Sequence, residues 1–250
     1  MFRASFPNAR YIVDLLKAIY AVADEGSFKI TGEGMRFVAM DPAHISLVDF
    51  ELSRMAAEEY ECDEETEMTV NLGQLLRLLR SARDQQITLS YNPEAKQLEV
   101  ILVSPSRESR LSLSTLEPIE SNPTIPRLSF EACARISSKA MKEAISDCFK
   151  VSDYVKVSIS PEDLILAAGS ELGKVEIRFP RHGNAIYDID AEKEARACFP
   201  LSYFEKIVKA GASVSDETVI ELATNKPIKL GFPIPSGKLE YLIAPRIENP

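Results

Sequence analysis

The chain says one thing twice. Residues Gly26–Phe50 read GSFKITGEGMRFVAMDPAHISLVDF, and Asp153–Phe179, roughly 125 residues later, read DYVKVSISPEDLILAAGSELGKVEIRF. Each begins as an alternating strand, turns through Gly32-Glu33-Gly34 or Pro161-Glu162-Asp163, and continues as two more strands. A helix-like segment precedes each, Asn8–Val22 and Ser137–Lys150, and a second follows in each half, Asn71–Arg83 and Pro200–Ala210. A repeat at this scale constrains the fold before any motif does, because two similar halves must place four helices in equivalent positions.

With 250 residues there is room for two domains of about 120 residues, each able to bury its own core. The first helix has apolar Ile12, Leu15, Leu16 and Ile19 at i, i+3, i+4, i+7 spacing. Asn71 is the expected N-cap of the second. Short strands are predicted at 27–32, 35–40, 45–53, 86–91, 97–103 and 109–115. In the second half they are predicted at 127–135, 154–160, 163–168, 173–179, 195–199, 217–223, 227–233 and 238–244. Residues 58–67 read as an exposed acidic segment and 180–194 as a loop. Many short strands with few helices imply an α+β fold with antiparallel sheets. The stretch EPIESNPTIP at 117–126 has three prolines and no periodicity, and so reads as an extended connector between domains 1–116 and 127–250.

The net charge is −9, which by itself argues against a nucleic-acid binder. Its distribution argues the other way. Segments 8–22, 71–83, 137–150 and 200–210 carry +1, +3, +1 and +1, leaving −15 on the rest of the chain. The bland account is that Lys and Arg are good helix formers. Cys62, Cys133, Cys148 and Cys198 are scattered without metal spacing and read as reduced packing residues. No apolar run approaches the ~20 residues of a membrane span, and MFRASFPNAR lacks a signal-peptide core, so an intracellular chain is expected. There is no phosphate loop, zinc spacing or nucleophile elbow, and the only histidines are His44 and His182. Nothing asks for a catalytic residue, a metal or a cofactor.

Four segments carry a resemblance that spans almost the whole chain: MDPAHISLVDFEL at 40–52, VNLGQLLRLLRSA at 70–82, GSELGKVEIRF at 169–179 and LEYLIAPRIE at 239–248. Together they resemble the proliferating cell nuclear antigen family of DNA polymerase sliding clamps, archaeal members above all. The resemblance implies the DNA-clamp fold: two topologically similar domains, sheets outside and two helices each on the inner face, as one subunit of a ring-shaped trimer. It implies a non-catalytic platform that encircles duplex DNA without reading bases. It also implies a cytoplasmic, nucleoid-associated protein that serves replication and repair. The implied partners are other clamp subunits, a clamp loader, DNA polymerase, flap endonuclease and ligase.

Residue by residue, the resemblance places Arg77, Arg80, Arg110, Lys150 and Lys209 at basic lining positions, with Lys17, Arg83, Lys142 and Lys206 nearby. Val13, Asp14, Tyr20 and Glu143 stand where relatives carry basic residues, so the lining is expected to be less positive than usual. For a client-peptide pocket it implies Met40, His44, Ile45, Leu47, Pro123, Ile125, Pro126, Pro200, Pro227, Leu242, Ala244 and Pro245. Leu242 stands where relatives often have an aromatic. For the subunit contact it implies Ser109, Leu111 and Leu113 on one edge strand, and Lys174, Val175 and Ile177 on another, starting at Leu172. Alternatives are one subunit of a ring built from paralogues, a clamp specialised for checkpoint or repair, and, from another class, an enzyme for acidic substrates sited on the Arg/Lys helices.

Overall fold

In the computed structural model, residues 1–118, 123–171 and 173–246 are described. Expectations resting on Leu172, on connector residues 119–122 or on the end of the chain past Arg246 lie outside them. The duplication runs deeper than the sequence shows, because each half is itself double. One β-α-β-β-β arrangement occurs four times. The first comprises β1 (Phe2–Phe6), α1 (Ala9–Tyr20), β2 (Glu25–Thr31), β3 (Gly34–Met40) and β4 (Ser46–Ser53). After a linking strand, β5 (Glu59–Cys62), the second comprises β6 (Thr66–Asn71), α2 (Leu72–Leu78), β7 (Gln86–Asn92), β8 (Gln97–Ser104) and β9 (Arg107–Ser114). The third comprises β10 (Ala132–Ser137), α3 (Ser138–Phe149), β11 (Tyr154–Ile159), β12 (Asp163–Ser170) and β13 (Gly173–Pro180). A second linking strand, β14 (Ile186–Ala191), leads to β15 (Ala195–Pro200), α4 (Leu201–Gly211), β16 (Glu217–Leu222), β17 (Ile228–Gly231) and β18 (Gly237–Ile243).

Two compact units result. One holds residues 1–40, 48–124 and 234–238, the other 41–47, 125–233 and 239–250. Within the first, the repeats lock crosswise: β1 pairs antiparallel with β7, and β2 with β6. A buried hydroxyl pair marks each crossing, Ser5–Thr88 at 2.9 Å and Ser27–Thr69 at 2.7 Å. The second unit crosses in the same way, β10 with β16 and β11 with β15. The first unit contains the sheet β5-β1-β7-β8-β9 and the neighbours β4-β3-β2-β6; the second contains β13-β12-β11-β15 and β14-β10-β16-β17-β18.

Local chemistry explains the elements. Asn8 accepts from Arg10 N at 2.9 Å and Asn71 from Gln74 N at 2.8 Å, which caps α1 and α2. Ile12, Leu15, Leu16 and Ile19 are all buried, so the helical period in the sequence is the core face. The turn between β2 and β3 is Gly32–Glu33, and Gly34 has φ +148 with a would-be Cβ only 2.3 Å from Leu52 O. Only glycine fits there.

Several expectations need correction. β1 was not foreseen. The acidic stretch 58–67 holds β5 and the start of β6, and the expected loop 180–194 holds β14. The strand expected at 127–135 is β10, shifted to 132–137. Helix two is shorter: α2 ends at Leu78 and tightens into a 3₁₀ turn at Leu79–Ser81. Cys148 is buried, which pushes its thiol up to about 11. No helix of the described residues is long and apolar enough to cross a membrane.

Candidate DNA, partner and subunit interfaces

The helices present their cations in two ways. On α1, Lys17 bonds Asp14 at 2.8 Å; at the end of α3, Lys150 bonds Asp147 at 2.7 Å; on α4, Lys209 bonds Glu205 at 2.7 Å. Such exposed pairs contribute at most ~1 kcal/mol to stability, but each cancels its own field. By contrast, Arg77 on α2 and Arg80 in the 3₁₀ turn are exposed, form no ion pair among the described residues, and lie on a segment without an acidic residue. Lys142 and Lys206 are exposed as well. Arg83 is exposed just past that turn, with its guanidinium 3.4 Å from Ala82 O. Arg110 departs from the group. It is on β9, opposite Ile101, held by Glu108 at 2.9 Å and Glu99 at 3.9 Å, and shares no helix surface with the others. Tyr20 and Phe149, the last residues of α1 and α3, expose aromatic rings.

The second unit gathers most of the expected peptide-pocket residues. Pro227 directly precedes β17, whose Ile228 pairs with Ile243 of β18. Leu242 is half-buried on the face of β18 opposite buried Tyr241 and Ile243. The chain then runs through Ala244 and Pro245 to Arg246, whose N–H donates to Cys198 O on β15 at 2.7 Å. Arg246 stacks over Tyr154, 4.2 Å from the ring centroid, and Tyr154 pairs with Pro200. Ile45 is half-buried, and its carbonyl accepts from Ala244 N at 2.8 Å. Half-exposed apolar groups of Ile45, Leu242, Ala244, Pro245, Pro200 and Pro227 therefore line one end of this unit. His44 is exposed with φ +58 and is a turn residue, not core. Leu47 is a correction: at 3% exposure it belongs to the core and offers no surface to a ligand. Ile125 and Pro126, in this unit, and Pro123, in the other, form no ladder, and Met40 ends β3 in the first unit.

The sequence does not single out Asp41, yet it holds this loop. Its carboxylate is buried and accepts from Ala43 N at 2.9 Å, Ile45 N at 2.8 Å, Ser46 N, Ser46 Oγ at 3.1 Å and Tyr203 Oη at 3.2 Å. Burial alone would raise its pKa. The bonds from Ser46, Ala43 and Ile45 outweigh burial and bring it below the ordinary 3.8. Burial, then the Asp41 charge and hydrogen bond, raises the Tyr203 phenol. An Asp two to five residues ahead of free N–H groups was the available signal. The sequence also did not reveal a cleft of about 560 Å³ in the first unit, lined by Lys29, Arg36, Glu51, Ser53 and Lys238. Its cations are ion-paired: Arg36 and Lys238 both contact Asp49 and Glu51, and Lys29 contacts Glu65.

Sheet ends differ in the same manner as the helices. β5 and β14 end their sheets with acidic residues, Glu59 and Glu61, Asp188 and Asp190. β9 and β13 end theirs with half-buried Ser109, Leu111, Val175 and Ile177 and buried Leu113 on one face, and with exposed Glu108, Arg110, Lys174, Glu176 and Arg178 of both signs on the other. Charge blunts an edge against pairing, and apolar residues invite it.

Residues 1–121 match the N-terminal domain of proliferating cell nuclear antigen, and residues 124–247 match its C-terminal domain. The chain belongs to the proliferating cell nuclear antigen family. A DNA polymerase sliding clamp of Pyrobaculum aerophilum is 31% identical over 98% of both chains. The solved proliferating cell nuclear antigen of Thermococcus kodakaraensis is 25% identical with a TM-score of 0.92, covering 98% of this chain and 100% of that one. The A. fulgidus protein, solved with the C-terminal region of FEN-1 bound, is 24% identical with a TM-score of 0.90 over the full length of both. As a member of this family the chain is a sliding clamp, a processivity factor without catalytic activity.

Proposed function

We infer that this clamp closes into a three-subunit ring by pairing β9 of one copy with β13 of the next. Its helices then face duplex DNA, and client enzymes dock their peptides in the groove of the second unit. The observation that carries the ring is that two different strands, β9 and β13, each end a sheet with one apolar, half-buried face. A contact between two different edges of the same chain is heterologous, so it must close or run on as a filament. Closure by three puts the acidic sheet ends away from the contact and the exposed Arg77 and Arg80 toward phosphates, which attract them without base readout. A closed ring needs a loader to open it. The connector is 117–126, joining domains 1–116 and 127–250, and its described residues 123–126, which form no ladder, can offer backbone groups to a client's main chain. Among relatives, the A. fulgidus protein with the C-terminal region of FEN-1 bound supports clients of the flap-endonuclease kind; polymerase and ligase are expected through the same groove. Retention on DNA makes the clamp nucleoid-associated.

A second reading is favoured by one observation. Lys17, Lys150 and Lys209 are each neutralised on their own helices, which suits a ring shared with more basic sister chains. Mass measurement tests both. A purified species near three times 27.8 kDa that becomes monomeric on Ile177→Glu supports the homotrimer. A wild-type monomer that gains mass only with other chains from its own cells supports the shared ring. A trimer indifferent to Ile177→Glu and Leu113→Glu would falsify this subunit contact.

A further inference from the structure

The walls of the peptide groove are not independent. Starting at α4, the Tyr203 hydroxyl donates to Asp41 Oδ2 at 3.2 Å. The other carboxylate oxygen of Asp41 accepts from Ile45 N at 2.8 Å. Ile45 O accepts from Ala244 N at 2.8 Å, and two residues on Arg246 N donates to Cys198 O at 2.7 Å. From Cys198 the covalent chain runs through β15 into α4 and back to Tyr203. The circuit closes on itself and lies entirely within the second unit. Its most constrained member is the loop 41–46. Asp41 N donates to Ser46 O and His44 N to Asp41 O, both at 2.9 Å, and His44 occupies the left-handed region at φ +58. A non-glycine residue stays there only where its surroundings over-determine it. Asp41 supplies most of that determination, and the residue is only 5% exposed, so removing its carboxylate leaves buried N–H groups without an acceptor.

We propose that Asp41 is the positioning residue of the peptide groove: its carboxylate sets the backbone of Ile45, and through Ile45 the segment Ala244–Arg246, so that both walls form one frame tied to α4 by Tyr203. The proposal rests on the groove reading given above and adds what governs its affinity. Asp41 touches no client. It acts by keeping the Ile45 and Ala244 surfaces at a fixed spacing before a client arrives, and rigidity of this kind raises affinity by lowering the ordering cost of binding.

The test uses the full chain and a synthetic peptide of the pattern Gln-x-x-apolar-x-x-aromatic-aromatic, with calorimetry and amide hydrogen exchange read side by side. Asp41→Ala should weaken the peptide about tenfold or more, the scale of losing one anchor. Asp41→Asn keeps an oxygen acceptor for Ile45 N and should stay within about threefold of wild type. In Asp41→Ala, exchange should accelerate together at Ile45, Ser46, Ala244 and Arg246, while Val219–Glu221 of β16 keep wild-type protection. Tyr203→Phe cuts only the tie to α4 and should cost about two- to threefold in affinity with faster exchange at Ile45. If Asp41→Ala fails to fold, Asp41→Asn and Tyr203→Phe decide by the same two readouts. Faster exchange confined to residues 43–46, with Ala244 and affinity unchanged, overturns the frame. If wild type ignores the peptide, the groove reading fails on its own, and exchange at Ala244 in the Asp41 variants still decides whether the frame exists.

Discussion

α2 and α4 occupy the same place in their repeats, yet α4 pairs one of its two exposed lysines, Lys209, with a carboxylate, while neither Arg77 nor Arg80 has an ion pair among the described residues. On α4, Glu205 precedes Lys209 by one turn and bonds it at 2.7 Å. This is the favourable order of an i,i+4 pair. On α2 the residues one turn ahead of Arg77 are Gly73 and Gln74, and those ahead of Arg80 are Leu76 and Arg77. No carboxylate stands one turn ahead of either guanidinium. α1 and α3 side with α4 through Asp14–Lys17 and Asp147–Lys150. Counting basic residues on helices therefore overstates the field that DNA would meet. A paired lysine presents a dipole, and a dipole fades within a few ångströms in 0.1 M salt, where the screening length is about 10 Å.

The comparison breaks most visibly at its strong side. Arg77→Ala with Arg80→Ala should reduce retention on closed circular DNA about tenfold or more at low salt, and flatten the decline of retention with salt, because two phosphate contacts per subunit vanish. Both side chains are exposed, so fold and ring should survive. Lys209→Ala, on the equivalent helix, should change retention by less than about twofold, since it removes a cation already neutralised. Equal losses from the two changes, measured at the same salt, would show that ion pairing on the helix does not set the field.

Much of this was legible from residues alone. The domain-scale repeat, the core face of α1, the Asn71 cap and the Gly32–Glu33 turn all follow from periodicity and turn chemistry. The fourfold repeat did not, for two reasons. β1 is five residues at the chain start, and β6 emerges from an acidic stretch whose polarity masks its alternation. β14 reads as a loop in the sequence because exposed Asp188 and Asp190 make it polar, a composition that suits an exposed edge. Asp41 escaped because the sequence shows a carboxylate but not which backbone donors surround it. Leu47 looked like a surface anchor beside Ile45, but β4 is buried at five consecutive residues, Ser46 to Phe50, so alternation marks no exposed side there. Arg110 shows the same limit: a basic residue matched by resemblance stands on a strand between two glutamates.

The difference can also be imposed on α2 without removing a cation. Gln74→Glu places a carboxylate three residues ahead of Arg77, as Asp14 stands ahead of Lys17. Gln74 is exposed, and its N–H is capped by Asn71. A glutamate in this first turn also suits the helix dipole, so thermal stability should hold or rise by a few tenths of a kcal/mol. DNA retention should nonetheless fall about threefold at low salt and match wild type at high salt, because a single pair is being screened. A variant less stable yet unchanged in retention would place Arg77 away from DNA.

The smallest effect comes from the weak side. Glu205→Gln keeps the shape of the side chain and releases Lys209 from its 2.7 Å partner. The helix should lose about 0.3–0.5 kcal/mol, the usual size of an exposed i,i+4 pair. Retention on closed DNA should rise about twofold at low salt, since an ammonium without a partner attracts phosphate at longer range. Asp147→Asn and Asp14→Asn free Lys150 and Lys17 in the same way and should each add a similar or smaller gain. The three changes lie on separate helices, so their gains in free energy should add. Additivity is the sharp outcome, because it requires all three lysines to face the same DNA. A gain from Glu205→Gln alone would leave only the Lys209 surface in contact with the duplex, and the lysines of α1 and α3 would be ordinary solvated charges.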